Sequence, residues 1–500
     1  LYIKIKLKKG TQIGQFTNSK QSSFLCVPFM QTKKASGTLF SQIRKAGKYI
    51  FDLVTHDSIK VNFLRAIPFW FASLVAGLVA VAYAKLFNYG ERFLQFMYQW
   101  QGWIIFILTP LCFLIGWWVV NAFAKNARGS GIPQVMAAIE LATPKNNHLV
   151  DRLLSLRIIV VKIISSLVMV SGGAAIGREG PTIQISGSIF RLVNKWIPAS
   201  WPRLSKQSFI MTGAAAGLAA AFNTPLGGIV FAVEELARIH IRFIRTALFT
   251  AIIIAGLTAQ GLLGPYLYLG YPDVNALHFS TYFAVAATAV IASVVAAFMS
   301  KMILRIMKWR STIKSTSKIV AIVLFSGLLV ACIAYFFDFA VLGSGKALMT
   351  RTLFTPDKQL SWTTVVARFA GTIISFSSGA AGGVFAPALA VGASIGGYLS
   401  ALFHFVNADA NILILSGMVA FLTGVTRTPF TSAILVLEMT DRHSVIFHLM
   451  LAAMIASMAA LLVDKNSFYE QLKKQYVEEL EKSDDSSREY RGPILDSTVA

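Results

Sequence analysis

The sequence predicts an all-α polytopic membrane protein, and two observations carry that prediction. Of the 500 residues, 55% are hydrophobic and only 14% are charged. A water-soluble domain carries about 25% charge to cover its surface. Windows almost free of charge also recur from about residue 66 to residue 462, the pattern of a chain that crosses hydrocarbon repeatedly. Together these exclude a soluble enzyme and a disordered tail.

The elements follow in order. Residues 1–60 form a basic segment with Lys4, Lys6, Lys8, Lys33 and Lys34 among its cations. Through Arg65 its only acids are Asp52 and Asp57. The positive-inside rule places it in the cytoplasm, where it would also touch anionic lipid. Its basic, alternating opening does not read as a signal peptide, and Met30 stands as an alternative start. Apolar stretches follow near 66–88, 102–120, 158–176, 208–235, 246–266, 280–304, 318–341, 361–400, 411–437 and 446–463. Asn223-Thr224-Pro225 interrupts the stretch 208–235, and 361–400 is too long and too rich in Gly and Pro for one straight helix. Such sequence is held by broken or tilted helices buried inside protein. Lys301, Arg305, Lys308, Arg310, Lys314 and Lys318 mark one loop between spans, and Arg238, Arg242 and Arg245 mark another; both are expected on the cytoplasmic side. The membrane domain is expected over 61–469, and 470–500 reads as a short polar cytoplasmic tail after a helix. Cys26, Cys112 and Cys332 are too far apart for a metal site, and the apolar setting of Cys112 and Cys332 reads as packing.

An internal repeat is visible. Gly213 to Glu234 reads GAAAGLAAAFNTPLGGIVFAVE, and Gly417 to Glu438 reads GMVAFLTGVTRTPFTSAILVLE. Thr224-Pro225 matches Thr428-Pro429, and Glu234 matches Glu438, all at an offset of 204. A weaker echo pairs 177–181 with 383–387. The repeat halves fall at about 61–265 and 275–469. Matching interrupted segments in two halves point to a transporter-like fold with its site at the repeat interface.

Three short segments share one form, small residues and then Pro ahead of an apolar run. They are Gly129-Ser130-Gly131-Ile132-Pro133, Gly177-Arg178-Glu179-Gly180-Pro181 and Gly383-Val384-Phe385-Ala386-Pro387. Proline suits the first turn of a helix. A helix N-terminus offers unused N–H donors and about half a positive charge, which binds anions without a cationic side chain. Any one such motif is more often a packing kink; three in one chain argue for a dehydrated anion site.

Glu179 is the sharpest single residue, because it sits between apolar, Gly-rich runs. An ionisable group at that depth costs roughly 3 kcal/mol, which makes it a functional residue by default. A carboxylate beside an anion site competes as a tethered anion, and protonation releases it. The competing reading is a structural ion pair with Arg178. Glu234 and Glu235 close the run 226–233, and one of them would accept protons from the cytoplasmic side. The repeat gives Glu234 and Glu438 a shared structural role and leaves Glu235 as the odd member. Tyr469 reads either as an interface anchor or as a hydroxyl donor to an anion. No HExxH, Walker A or CxxC pattern occurs, so no enzyme, metal or cofactor is expected. Gly392 to Gly397 (GASIGG) reads as small-residue helix packing.

With GSGIP, GREGP and GGVFAP in this order, the chain resembles the CLC family of chloride channels and chloride/proton antiporters over roughly 60–470. The resemblance implies a CLC-type fold of about eighteen tilted or re-entrant helices in two inverted repeats. It implies a homodimer in a cell inner membrane, with one anion path per subunit and both termini cytoplasmic. It implies that bound chloride is the substrate, held by Ser130, the N–H groups of Val384 and Phe385, and Tyr469. Glu179 matches the family's external gating glutamate and Glu235 the internal proton glutamate that antiporters keep. Ser130, where nitrate-preferring members carry Pro, resembles the chloride-selective members. Gln134 departs from the Glu of many relatives, with a modest expected effect. The chain after 470 is too short for paired regulatory domains, which resembles prokaryotic members. The function expected is chloride/proton exchange; a passive gated chloride channel and a membrane sensor or scaffold are the alternatives. No nucleic-acid partner is expected.

Overall fold

The structure is a computed structural model that describes residues 57–491 except 199–200, 203, 237–244, 265–266, 275–278, 356–357, 359 and 406. Most of the basic N-terminal segment, Arg238, Arg242 and residues 492–500 lie outside the described residues. From Lys60 onward the chain forms one compact unit, and its regular structure among the described residues is helical.

The first half runs through α1 (Asp57–Trp100), α2 (Ile105–Phe123), α3 (Ile132–Leu141), α4 (Asn147–Leu153), α5 (Leu156–Ser171), α6 (Glu179–Trp196), α7 (Lys206–Phe222), α8 (Pro225–Phe231) and α9 (Arg245–Leu263). A π-helical turn, Ala232–Leu236, extends α8. The second half holds α10 (Ser280–Ser311), α11 (Thr316–Phe336), α12 (Lys346–Phe354), α13 (Trp362–Ser377), α14 (Phe385–Leu402), α15 (Asn407–Thr426), α16 (Pro429–Thr440), α17 (Ile446–Val463) and α18 (Phe468–Arg491). Among the described residues, nine helical stretches are long and apolar enough to cross a membrane.

The breaks fall where the sequence put them. Asn223 leaves α7 with φ 57° and Pro225 opens α8; Arg427 leaves α15 with φ 65° and Pro429 opens α16. A left-handed residue ends a helix, and proline at the next helix start loses no hydrogen bond. The stretch 361–400 divides into α13 and α14, with GGVFAP in the turn between them. α14 and α15 are nearly enclosed by protein, whereas α11 exposes most of its surface. They cross closely because Gly392 and Gly417 meet backbone to backbone, and a Cβ on either would collide with the other's carbonyl. The small-residue reading of GASIGG therefore stands.

Two expectations change. Lys301, Arg305, Lys308 and Arg310 form the end of α10, not a loop; only 312–315 link it to α11, which carries Lys318. A 32-residue helix outlasts the hydrocarbon, and cations at its C-terminus suit both water and the helix dipole. The polar chain after 470 is also not a trailing tail at first. It continues α18, whose Leu472, Tyr476 and Leu480 are buried at four-residue spacing against a partner face. α3 is among the helices it packs on.

Candidate functional site

Backbone hydrogen bonds pin the three Gly- and Pro-containing segments to one another. Gly129 N–H donates to Ala380 O at 2.8 Å, and Gly382 N–H donates back to Gly129 O at 3.1 Å. Gly177 and Gly383 exchange N–H···O bonds, each 2.8 Å. α3, α6 and α14 start immediately after these contacts, so their N-termini meet. Pro133, Pro181 and Pro387 stand in the first turns. Gly129, Gly131, Ile132, Gly180, Pro181, Gly383 and Ala386 are all buried around the junction. Val384 and Phe385 open α14, where first-turn N–H groups are not used by the helix. The Phe385 ring packs on Phe222 of α7, centroids 5.5 Å apart.

Two hydroxyls stand out at this junction. Ser130 Oγ lies against Gly180, where a Cβ would strike it. Tyr469, in the first turn of α18, faces Ser130. Both groups are buried, and neither makes a hydrogen bond among the described residues. A buried donor left unpaired costs about 1–3 kcal/mol, a cost that a polar ligand received here would remove.

Glu179 is fully buried at the start of α6. Its carboxylate occupies the space that a Gly177 Cβ would need. Tyr268 O–H donates to Oε1 at 3.4 Å, while Oε2 has no hydrogen-bond partner. Arg178 turns toward α1 and donates to Ala84 O at 2.9 Å and Asn88 Oδ1 at 3.4 Å. The Arg178 charge also acts on Glu179. Tyr469 lies within electrostatic reach of both Glu179 and Glu235. Glu235 is half-buried on the π-helical turn.

Its neighbour Glu234 does something else. Glu234 accepts N–H bonds from Phe430 (3.1 Å) and Thr431 (2.6 Å) at the start of α16, and the Thr431 hydroxyl at 2.7 Å. Glu438 accepts from Leu226 (3.1 Å) and Gly227 (2.8 Å) at the start of α8. Each repeat half thus caps the broken helix of the other, and the extended α8 lies antiparallel to α16. A carboxylate at a helix N-terminus satisfies orphan donors and meets the positive end of the dipole.

A sequence profile described as voltage gated chloride channel matches residues 111–461. The chain belongs to the CLC family. Among its curated relatives is the H(+)/Cl(-) exchange transporter ClcA of Klebsiella pneumoniae subsp. pneumoniae, 29% identical over 474 residues, covering 90% of this chain and 97% of that one. The protein of the same name from Salmonella typhimurium is 30% identical over 395 residues, covering 76% and 81%. The fold matches a crystal structure of a slow cyanobacterial Cl−/H+ antiporter with TM-score 0.73 at 22% identity, over 83% of this chain and 98% of that one. It also matches a CLC-type fluoride/proton antiporter with TM-score 0.68 at 18% identity, over 84% and 99%. These relatives are transporters, and the CLC-type fold expected from the motifs is the fold observed.

Three contributors to this CLC site stand outside the residues expected to form it. Lys162 of α5 is fully buried and donates to Ala127 O at 2.9 Å and Gly129 O at 2.8 Å, which holds the loop before Ser130. Its signal was present: an ionisable residue inside an apolar stretch, as for Glu179. Gln134 accepts from Gly131 N–H at 3.0 Å and donates to Arg128 O at 2.6 Å and Tyr476 Oη at 3.0 Å. It braces the same loop through its amide. Tyr268 lies between spans with no motif around it, and only the folded chain brings it to Glu179. Among the described residues, no group of His, Cys, Asp or Glu could hold a metal ion.

Proposed function

We propose that this CLC-family chain exchanges chloride for protons across a membrane, through a path gated by Glu179. The observation that carries the reading is the pairing of two unpartnered buried hydroxyls, Ser130 and Tyr469, with a buried carboxylate at the junction of three helix N-termini. Chloride is the transported substrate and no cofactor takes part. Ser130 O–H, Tyr469 O–H and the first-turn N–H groups of Val384 and Phe385 donate to the anion. None is a full positive charge, so the ion is stabilised without being trapped. Glu179, as carboxylate, competes for the same positive helix ends. Protonation neutralises it, and the side chain then leaves the path and carries the proton. Glu235 is the proton acceptor toward the cytoplasm, reached past Tyr469. The names of the ClcA relatives support exchange over passive conduction.

The setting proposed is a bacterial inner membrane with both termini cytoplasmic, since the basic end of α10 shares a face with α18. A homodimer is also proposed. Glu234 and Glu438 are half-buried beside Leu226, Val233 and Phe430, whose side chains are half exposed or more. Lipid is a costly neighbour for such carboxylates, and a second copy would cover them.

The test is a reconstitution in liposomes loaded with high chloride. Chloride leaving down its gradient should drive protons inward against theirs, recorded with a chloride electrode and a trapped pH dye. Chloride efflux without proton movement would instead identify a passive channel.

A further inference from the structure

One cavity, of about 860 Å³, reaches Gly129 but is lined by none of the proposed chloride- or proton-handling groups Ser130, Val384, Phe385, Tyr469, Glu179 and Glu235. It lies where α2, α10 and α13 end and α11 begins, with α18 as its far wall. Five cations line it, Lys125, Arg128, Lys308, Arg310 and Lys482, against two acids, Glu478 and Glu479. Both acids are already engaged. Glu479 accepts from Arg128 Nη2 at 2.8 and 2.6 Å, and Glu478 pairs with Lys482 at 3.8 Å. Lys125, Lys308 and Arg310 have no carboxylate partner among the described residues. Arg310 donates to Ser377 O at 2.8 Å, and Arg128 Nε is buried with no acceptor. The rest of the lining mixes polar Asn121, Ser311 and Gln475 with an apolar side of Trp117, Val120, Ile319 and Phe376.

The cavity's depth is marked by tryptophan. Trp118 and Trp309 neighbour lining residues and are more than half exposed, as side chains at a membrane–water interface are. Beyond them α2 and α11 present Leu111, Ile115, Phe325 and Leu328 outward, a surface suited to lipid. A lone halide is far too small for this space. An excess of unpaired cations over an apolar wall, at headgroup level, fits an amphiphilic anion. We propose that this cavity binds the phosphate headgroup of an anionic phospholipid, with its acyl chains along α2 and α11. The headgroup would draw Arg128 away from Glu479, and Arg128 lies two residues before Ser130.

Delipidated protein in detergent tests this, using phosphatidylglycerol or phosphatidylcholine micelles and counting bound lipid by native mass spectrometry. The wild-type chain should retain phosphatidylglycerol over phosphatidylcholine. A Lys125→Gln, Lys308→Gln protein should bind it about tenfold or more weakly. Lys314→Gln, outside the cavity, should bind as wild type. Chloride flux of each variant in liposomes reports that the fold is intact. Equal binding of both lipids, or unchanged binding in the double variant, would overturn the proposal. Inorganic phosphate in place of lipid separates the two sources of phosphate. Binding of it at matched concentration, with the same variant dependence, would overturn the lipid assignment in favour of a soluble anion.

Discussion

At the residue scale, adjacent glutamates divide two tasks. Glu234 spends its oxygens on three hydrogen bonds to the start of α16, whereas Glu235 lies within reach of Tyr469. Glu235→Gln should therefore keep chloride flux and lose most proton transport, measured by paired chloride and pH recordings. Persistent coupling in that variant would move the proton role elsewhere. The split was legible because the repeat matched Glu234 to Glu438 and left Glu235 unmatched. Glu179 was legible because a lone carboxylate in apolar sequence has few bland explanations. Tyr469 was ambiguous, since a tyrosine after a span is ordinarily an anchor; its buried, unpartnered hydroxyl facing Ser130 argues for anion donation instead. Tyr268 was invisible, because its contact with Glu179 crosses 89 residues.

At the element scale, the reciprocal caps join the two halves. Glu234→Ala and Glu438→Ala each remove bonds to a helix N-terminus and should lower stability by about 1–2 kcal/mol. The two losses should be similar, read as matched falls in thermal midpoint, with coupling ratio unchanged in the protein that remains folded. A loss confined to one of them would argue against equivalent roles. The helix breaks at Pro225 and Pro429 could be read from sequence because proline and a left-handed residue act locally. The start of α6 at Pro181 was legible, but its extent as a buried helix was not. It encloses Thr182, Gln184, Ser186, Ser188 and Arg191 almost completely, and hydropathy does not register polar side chains that face protein instead of lipid. The end of α10 was misread for the converse reason. Charge marked it as loop, although a helix leaving hydrocarbon keeps its backbone bonds.

At the scale of the whole molecule, composition alone established the membrane, and three short motifs established the family. Their convergence required the fold, because residues 129–133, 177–181 and 383–387 meet through loop-to-loop hydrogen bonds and close packing at Gly131 and Gly180. The proposed homodimer would cover the half-buried carboxylates of α16 and of the turn after α8. The detergent-corrected mass in solution should be twice the 54.5 kDa of one chain, by light scattering. A single-chain mass at the lowest detergent concentration would contradict a dimer.

The central claim is that one side chain both gates chloride and carries the proton. Glu179→Gln, a carboxylate made permanently neutral, tests it in a single preparation. In liposomes under a chloride gradient, chloride should still cross while uphill proton movement disappears. Proton movement that persists without Glu179, or chloride flux that vanishes with it in a folded protein, would contradict the account.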